Sequence, residues 1–94
     1  MPRYLVERTF ATGFPIDATE EGRAACGRIA ASNAELGVTW LHSYVTEDGR
    51  TSFCLCDAPS PEALRRAAGR NHWPVDAISQ VTVLDPHFHL GVRT

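Results

Sequence analysis

Residues 38–45 form a strand-like run whose side chains could bind a ligand or take part in catalysis. Because side chains alternate faces along a strand, Trp40, His42 and Tyr44 are predicted to share one face, with the imidazole between two aromatic rings. A sheet with one solvated face usually alternates apolar and polar residues, and this run does not. The pattern therefore favours a face that meets a subunit, a metal or a small ligand.

His42 has two candidate partners for binding a metal, Glu7 and Cys54, on other predicted strands. Imidazole, thiolate and carboxylate together suit a divalent transition metal better than magnesium or calcium. We predict a metal site from these three residues if the strand register brings them into one row. Each residue also has an ordinary structural alternative: a hydrogen-bonded histidine, a small buried thiol, and a carboxylate paired with an arginine.

Three further sets of residues enter the functional predictions. His87 and His89 are two apart near the end of the chain and form a second candidate metal site, with a solvated tail as the alternative. Trp40 and Tyr44 are predicted to line a ligand cavity. His42 is also the candidate general base of an enzyme, since imidazole commonly moves protons near neutral pH.

Composition limits the classes of partner. The chain has 94 residues, a net charge of -2 and nine cationic side chains, all arginine, so it lacks the basic patch that nucleic acid or an anionic membrane requires. It has no apolar run approaching the roughly 20 residues of a membrane span. The N-terminus does not resemble a signal peptide, so we expect a cytoplasmic protein with three reduced cysteines.

Hydrophobic periodicity and turn residues predict the order β-α-β-β-α-β. A helix capped by Asp17 or Thr19 is predicted to end at Gly37, an Asp-Gly hairpin turn spans 47–50, and Ser60 caps the second helix. The predicted strands span residues 3–10, 38–47, 51–57 and 77–84.

This order predicts an α+β fold in one domain, residues 1–94, of the ferredoxin-like type, a βαββαβ sandwich. The sheet is antiparallel in the order 4-1-3-2, with both helices on one face. We assign two sets of residues to the faces. The helix side receives Val6, Leu41, Val45, Phe53, Leu55, Val81 and Val83, and the opposite side Leu5, Glu7, Trp40, His42, Tyr44, Cys54, Cys56 and Leu84.

Four segments together resemble a small bacterial family with a nickel-binding representative, formerly a domain of unknown function. They are residues 1–10, residues 33–44, residues 57–63, and the pair 74–76 with 83–86. The resemblance implies a ferredoxin-like fold, a homodimer and binding of Ni²⁺ or another divalent transition metal. It carries over to Glu7 and His42, which lie in matching segments, and less closely to Cys54.

Three functions follow as hypotheses. The first is a homodimeric nickel-binding protein without established catalysis. The second is a cofactor-independent dimeric α+β barrel enzyme, of oxygenase or isomerase type, that uses His42 as general base. The third is an oligomerisation module with an inert aromatic interface. Whether the protein is an enzyme is left open by the sequence, as is the identity of any substrate.

Overall fold

A computed structural model describes residues 1–87 of the chain. The order of elements is the predicted β-α-β-β-α-β. The boundaries differ from the predicted ones by three residues or fewer. The strands are β1 (Arg3–Thr9), β2 (Thr39–Val45), β3 (Thr51–Asp57) and β4 (Ala77–Val81), and the helices are α1 (Glu20–Glu35) and α2 (Pro61–Asn71).

The helices begin at residues that satisfy their free backbone N–H groups. The hydroxyl of Thr19 accepts a hydrogen bond from the backbone N–H of Gly22 at 3.1 Å, which fixes the start of α1. At the start of α2, Ser60 accepts from the N–H of Ala63 at 3.2 Å, and Pro61 occupies the first turn. These caps fix where the helices start relative to the strands that precede them.

The four strands form one antiparallel sheet in the order β2-β3-β1-β4, which is the predicted order read from the other edge. The split β-α-β arrangement makes β1 and β3 the central strands, and the predicted α+β ferredoxin-like fold is confirmed. The β2–β3 hairpin turns through Gly49, whose φ of 73° lies in the left-handed region that glycine adopts without a steric penalty.

The hydrophobic core lies between the sheet and the helices. Val6 and Cys54 from the central strands pack with Leu64 and Ala67 of α2, and each of these side chains is at most 5% exposed. Burial of apolar surface in this layer is the main source of stability in a domain of this size.

The face assignment for β3 is wrong. Cys54 and Cys56 point into the core, whereas Phe53 and Leu55 are only partly buried and lie on the other side of the sheet. The sequence assignment placed the larger apolar residues inside. In the structure the small thiols fill the space beside Leu64, and the larger side chains face away from the helices.

The face assignment for β2 is wrong at Trp40, and the reason is a bulge. The pairing of β2 with β3 shifts between Trp40 and His42, so the simple alternation of faces is interrupted at Leu41. Trp40 packs against the core cluster, while His42 and Tyr44 keep the predicted face opposite the helices. Val81 is also misassigned, because it pairs with Arg3 and shares the face of Leu5.

Neither helix within residues 1–87 combines the length and the apolar character that crossing a membrane requires.

Candidate functional site

His42 and Tyr44 form an exposed aromatic pair on the side of the sheet that the helices leave uncovered, which we call the open face. Their ring centroids are 5.2 Å apart with the rings almost perpendicular, an edge-to-face arrangement that aromatic groups favour. Tyr44 is 65% exposed. Both side chains are therefore accessible to a ligand or to another chain.

Glu7 lies on the same open face, as predicted, but not beside His42. The partner of His42 on β3 is Leu55, and Leu55 pairs in turn with Leu5 on β1. Glu7 is two residues further along β1, in the row of Phe53. The two strand spacings alone separate it from His42 by about 9.6 Å. Glu7 and His42 are therefore not cross-strand neighbours, and the predicted row does not form within one chain.

Cys54 lies on the other side of the sheet from His42 and Glu7. Its Sγ accepts a hydrogen bond from Ser43 Oγ at 3.0 Å, and Ser43 in turn accepts one from Trp40 Nε1 at 2.8 Å. The prediction that Cys54 shares a row with Glu7 and His42 is wrong, because β3 presents its odd-numbered residues to the open face. Across residues 1–87, no three His, Cys, Asp or Glu side chains are grouped so that they could hold a metal.

The second candidate metal site falls at the limit of the described chain. His87 is exposed, and its backbone N–H donates to Asp85 Oδ1 at 2.9 Å. His89 lies outside the described residues, so the pairing of these two imidazoles stays a prediction.

The two residues predicted to line a ligand cavity lie on different faces. Trp40 borders a small cavity between the sheet and the helices, whereas Tyr44 lies on the open face. We call this the inner cavity. It is lined by Arg8, Ile29, Asn33, Val38, Trp40, Cys54, Cys56, Leu64, Ala67, Ala68, Asn71 and Trp73.

Arg8 is the residue of the inner cavity that the sequence reasoning missed. It is only 7% exposed. Strand alternation contains a signal for this burial, because Arg8 follows Tyr4 and Val6 at two-residue intervals and therefore shares the face of Val6. In the wall of the same cavity, burial raises the pKa of the Cys56 thiol to about 12, which keeps this sulfur protonated and unreactive at neutral pH.

Comparison with known proteins identifies the family. The family model described as "Nickel responsive protein SCO4226-like" matches residues 4–81, which is most of the chain and includes both helices and all four strands apart from the first residue of β1. The chain belongs to the SCO4226-like family. The resemblance stated from the sequence is thereby confirmed at the level of the family.

A solved structure supports the fold of this family member. The crystal structure of SCO4226 from Streptomyces coelicolor A3(2) is similar to it with a TM-score of 0.66 and 18% sequence identity. The match covers 88% of this chain and 99% of that one. A search of curated proteins gave no match. At this level of identity the structural likeness establishes the fold alone.

Proposed function

We propose that this family member is a homodimer that binds a divalent metal, Ni²⁺ first, through His42 on the open face. The family description, nickel-responsive, is the observation that carries the metal in this proposal. Imidazole nitrogen is a good ligand for nickel, and His42 is an exposed imidazole on a rigid strand. The proposal is one of binding and includes no catalytic step.

The composition of the open face supports the homodimer. Its two central strands contribute Leu5, Phe53 and Leu55, which are partly buried, and β2 adds Tyr44, which is 65% exposed. A contiguous apolar and aromatic surface of this kind is typical of an interaction site. A chain of 94 residues also gains stability from burying such a surface against a second copy.

A two-fold dimer would also give His42 a second ligand. In an interface with two-fold symmetry, a contact from one chain to its partner is always returned by the partner. If the open faces pack together, His42 of one chain can meet Glu7 of the partner subunit, although the two residues are not neighbours within one chain. We propose this pair as the protein ligands of each ion, with water completing the coordination and two ions per dimer.

Mixing two inactive variants tests this arrangement. His42→Ala and Glu7→Gln should each bind nickel weakly as pure dimers, because every site lacks one ligand. Unfolding and refolding them together at equal amounts produces heterodimers with one intact site, and a quarter of the parental sites should return. Titration calorimetry on untagged protein measures the number of sites. Wild-type binding by Glu7→Gln, or no recovery in the mixture, would exclude the shared site.

The enzyme hypothesis receives less support. That hypothesis needs a cavity between two paired open faces, and Trp40, one of its two predicted lining residues, lies on the other side of the sheet from His42. We also propose a cytoplasmic location, which the free thiols of Cys26, Cys54 and Cys56 fit because a reducing compartment keeps cysteines unpaired.

A further inference from the structure

Arg8 is a buried cation in the core layer of the protein. It lies on β1 at the face that carries Tyr4 and Val6, and only 7% of its surface is exposed. A guanidinium stays protonated at any physiological pH and offers five N–H donors. Moving such a charge out of water costs several kcal/mol unless partners replace the lost hydration.

The partners that the described residues supply to Arg8 are neutral. Nη1 donates to the carbonyl oxygen of Pro74 at 2.8 Å, and the guanidinium carbon lies 5.3 Å from the ring centre of Trp73. Nε is fully buried and has no hydrogen-bond partner among residues 1–87. The wall of the inner cavity contains no aspartate or glutamate. The positive charge of Arg8 is thus left without a carboxylate on the cavity side.

The inner cavity has the size and polarity of a site for a single small ion. Its volume is about 10 Å³, which corresponds to one water-sized guest. Asn33 and Asn71 add amide groups to the wall, joined by a hydrogen bond of 3.2 Å from Asn71 Nδ2 to Asn33 Oδ1. The rest of the wall is mostly apolar. In so dry an environment an ionic contact is much stronger than in water.

We propose that the inner cavity binds a small monoanion of halide size against the guanidinium of Arg8. An anion there would contact the guanidinium side chain that lines the cavity and neutralise its buried charge, whereas a neutral water molecule would leave the charge uncompensated. The site lies across the sheet from His42 and does not depend on the nickel proposal.

Thermal unfolding of the untagged wild-type protein tests the proposal. Sodium chloride or bromide should raise Tm above the value in sodium gluconate at the same ionic strength, since gluconate is too large for the cavity. When the halide concentration is about five times the dissociation constant, Tm should rise by about 4–8 °C in a domain of this size. Sodium acetate should give the same Tm as sodium gluconate, because acetate is also too large for the cavity. Equal Tm values in chloride and gluconate would overturn the proposal.

Two variants separate this site from general salt effects. Arg3→Gln removes a partly exposed arginine of the same strand and should keep the full halide effect. Asn33→Asp places a carboxylate in the wall of the inner cavity, which would neutralise Arg8 internally, so the difference between chloride and gluconate should disappear. A halide effect of unchanged size in Asn33→Asp would contradict the proposal.

Crystals grown in bromide test directly whether an anion occupies the inner cavity. Anomalous scattering should show one bromide ion within hydrogen-bond distance of the guanidinium of Arg8. A water molecule at that position, with no anomalous signal, would overturn the proposal.

Discussion

The two faces of the sheet differ in how fully the chain covers them. On the helix side Val6 and Ser52 are completely buried and Cys54 is 1% exposed, while on the open face Tyr44 is 65% exposed. One face is therefore packed by the chain itself, and the other presents aromatic, apolar and ionisable groups to the outside. The difference places the packed core on the helix side, and the open face is where we propose that nickel and a second chain bind.

Replacing one leucine by alanine on each face of the sheet should give the largest difference in the free energy of unfolding. Leu64 is 2% exposed and packs in the core cluster, so Leu64→Ala should lower the free energy of unfolding by about 2–5 kcal/mol. Leu55→Ala, on the open face, should cost the isolated chain less than about 1 kcal/mol. Urea denaturation at low protein concentration measures both. Similar losses would mean that the open face is also part of the monomer core.

The reactivity of the cysteines should follow the same division. Cys54 and Cys56 are buried under the helices, and Cys26 on α1 is only partly buried. Cys26 should therefore react first with a bulky disulfide reagent, and the other two at least about 100-fold more slowly, since they require opening of the structure. Mass spectrometry after short exposure identifies the labelled site, with Cys26→Ser as the control. Faster labelling of Cys54 would place it outside the core.

A charge on the open face should weaken self-association. Tyr44→Asp introduces a carboxylate where two copies are proposed to meet, and we expect the dimer dissociation constant to rise at least about tenfold, ~1.4 kcal/mol. The control is Arg65→Asp, at an exposed position on α2, which should leave the dimer unchanged. Sedimentation velocity distinguishes the two species. A wild-type chain that stays monomeric at micromolar concentration would refute the dimer.

The smallest effect concerns an ion pair between the central strands. Arg3 Nε donates to Asp57 Oδ1 at 2.7 Å, and this hydrogen bond lowers the pKa of the Asp57 carboxyl. The folded state then holds its proton less tightly than the unfolded state does. The pair stabilises fully above the ordinary aspartate pKa of about 3.9, and this contribution is lost as the pH falls through the lower folded value.

The variant Asp57→Asn tests that assignment. It should unfold with a shallower dependence on pH below about pH 4 than the parent does, because one carboxyl with a lowered pKa is gone. Thermal melts between about pH 2 and 7 provide the comparison. An acid transition identical to that of the parent would show that the pair does not contribute.

The sequence was sufficient for the fold because its signals are local. The caps at Thr19 and Ser60, the Asp-Gly turn and the spacing of apolar residues define each element without long-range information. The assignment of side chains to the two faces of the sheet also depends on long-range information. The β-bulge after Trp40 has no sequence signal that we identified, and nothing in the alternation of β3 tells whether its thiols or its larger side chains meet the helices.

The candidate site was predictable only in part for the same reason. His42, Tyr44 and Glu7 lie on the predicted face, since each belongs to a strand whose alternation holds locally. Their distances depend on register, which a single sequence does not reveal. Arg8 departs from the usual rule that a charged side chain of a strand faces solvent, and the alternation of β1 places it in the core instead.

The most direct test of the central claim is a nickel titration of untagged parent protein and His42→Ala, with His72→Ala as the matched control. His72 is an exposed histidine at the end of α2, away from the sheet. Calorimetry should find one Ni²⁺ per chain for the parent and for His72→Ala, and strongly weakened binding for His42→Ala with its dimer intact. Binding by His42→Ala equal to that of the parent would contradict a nickel site on the open face.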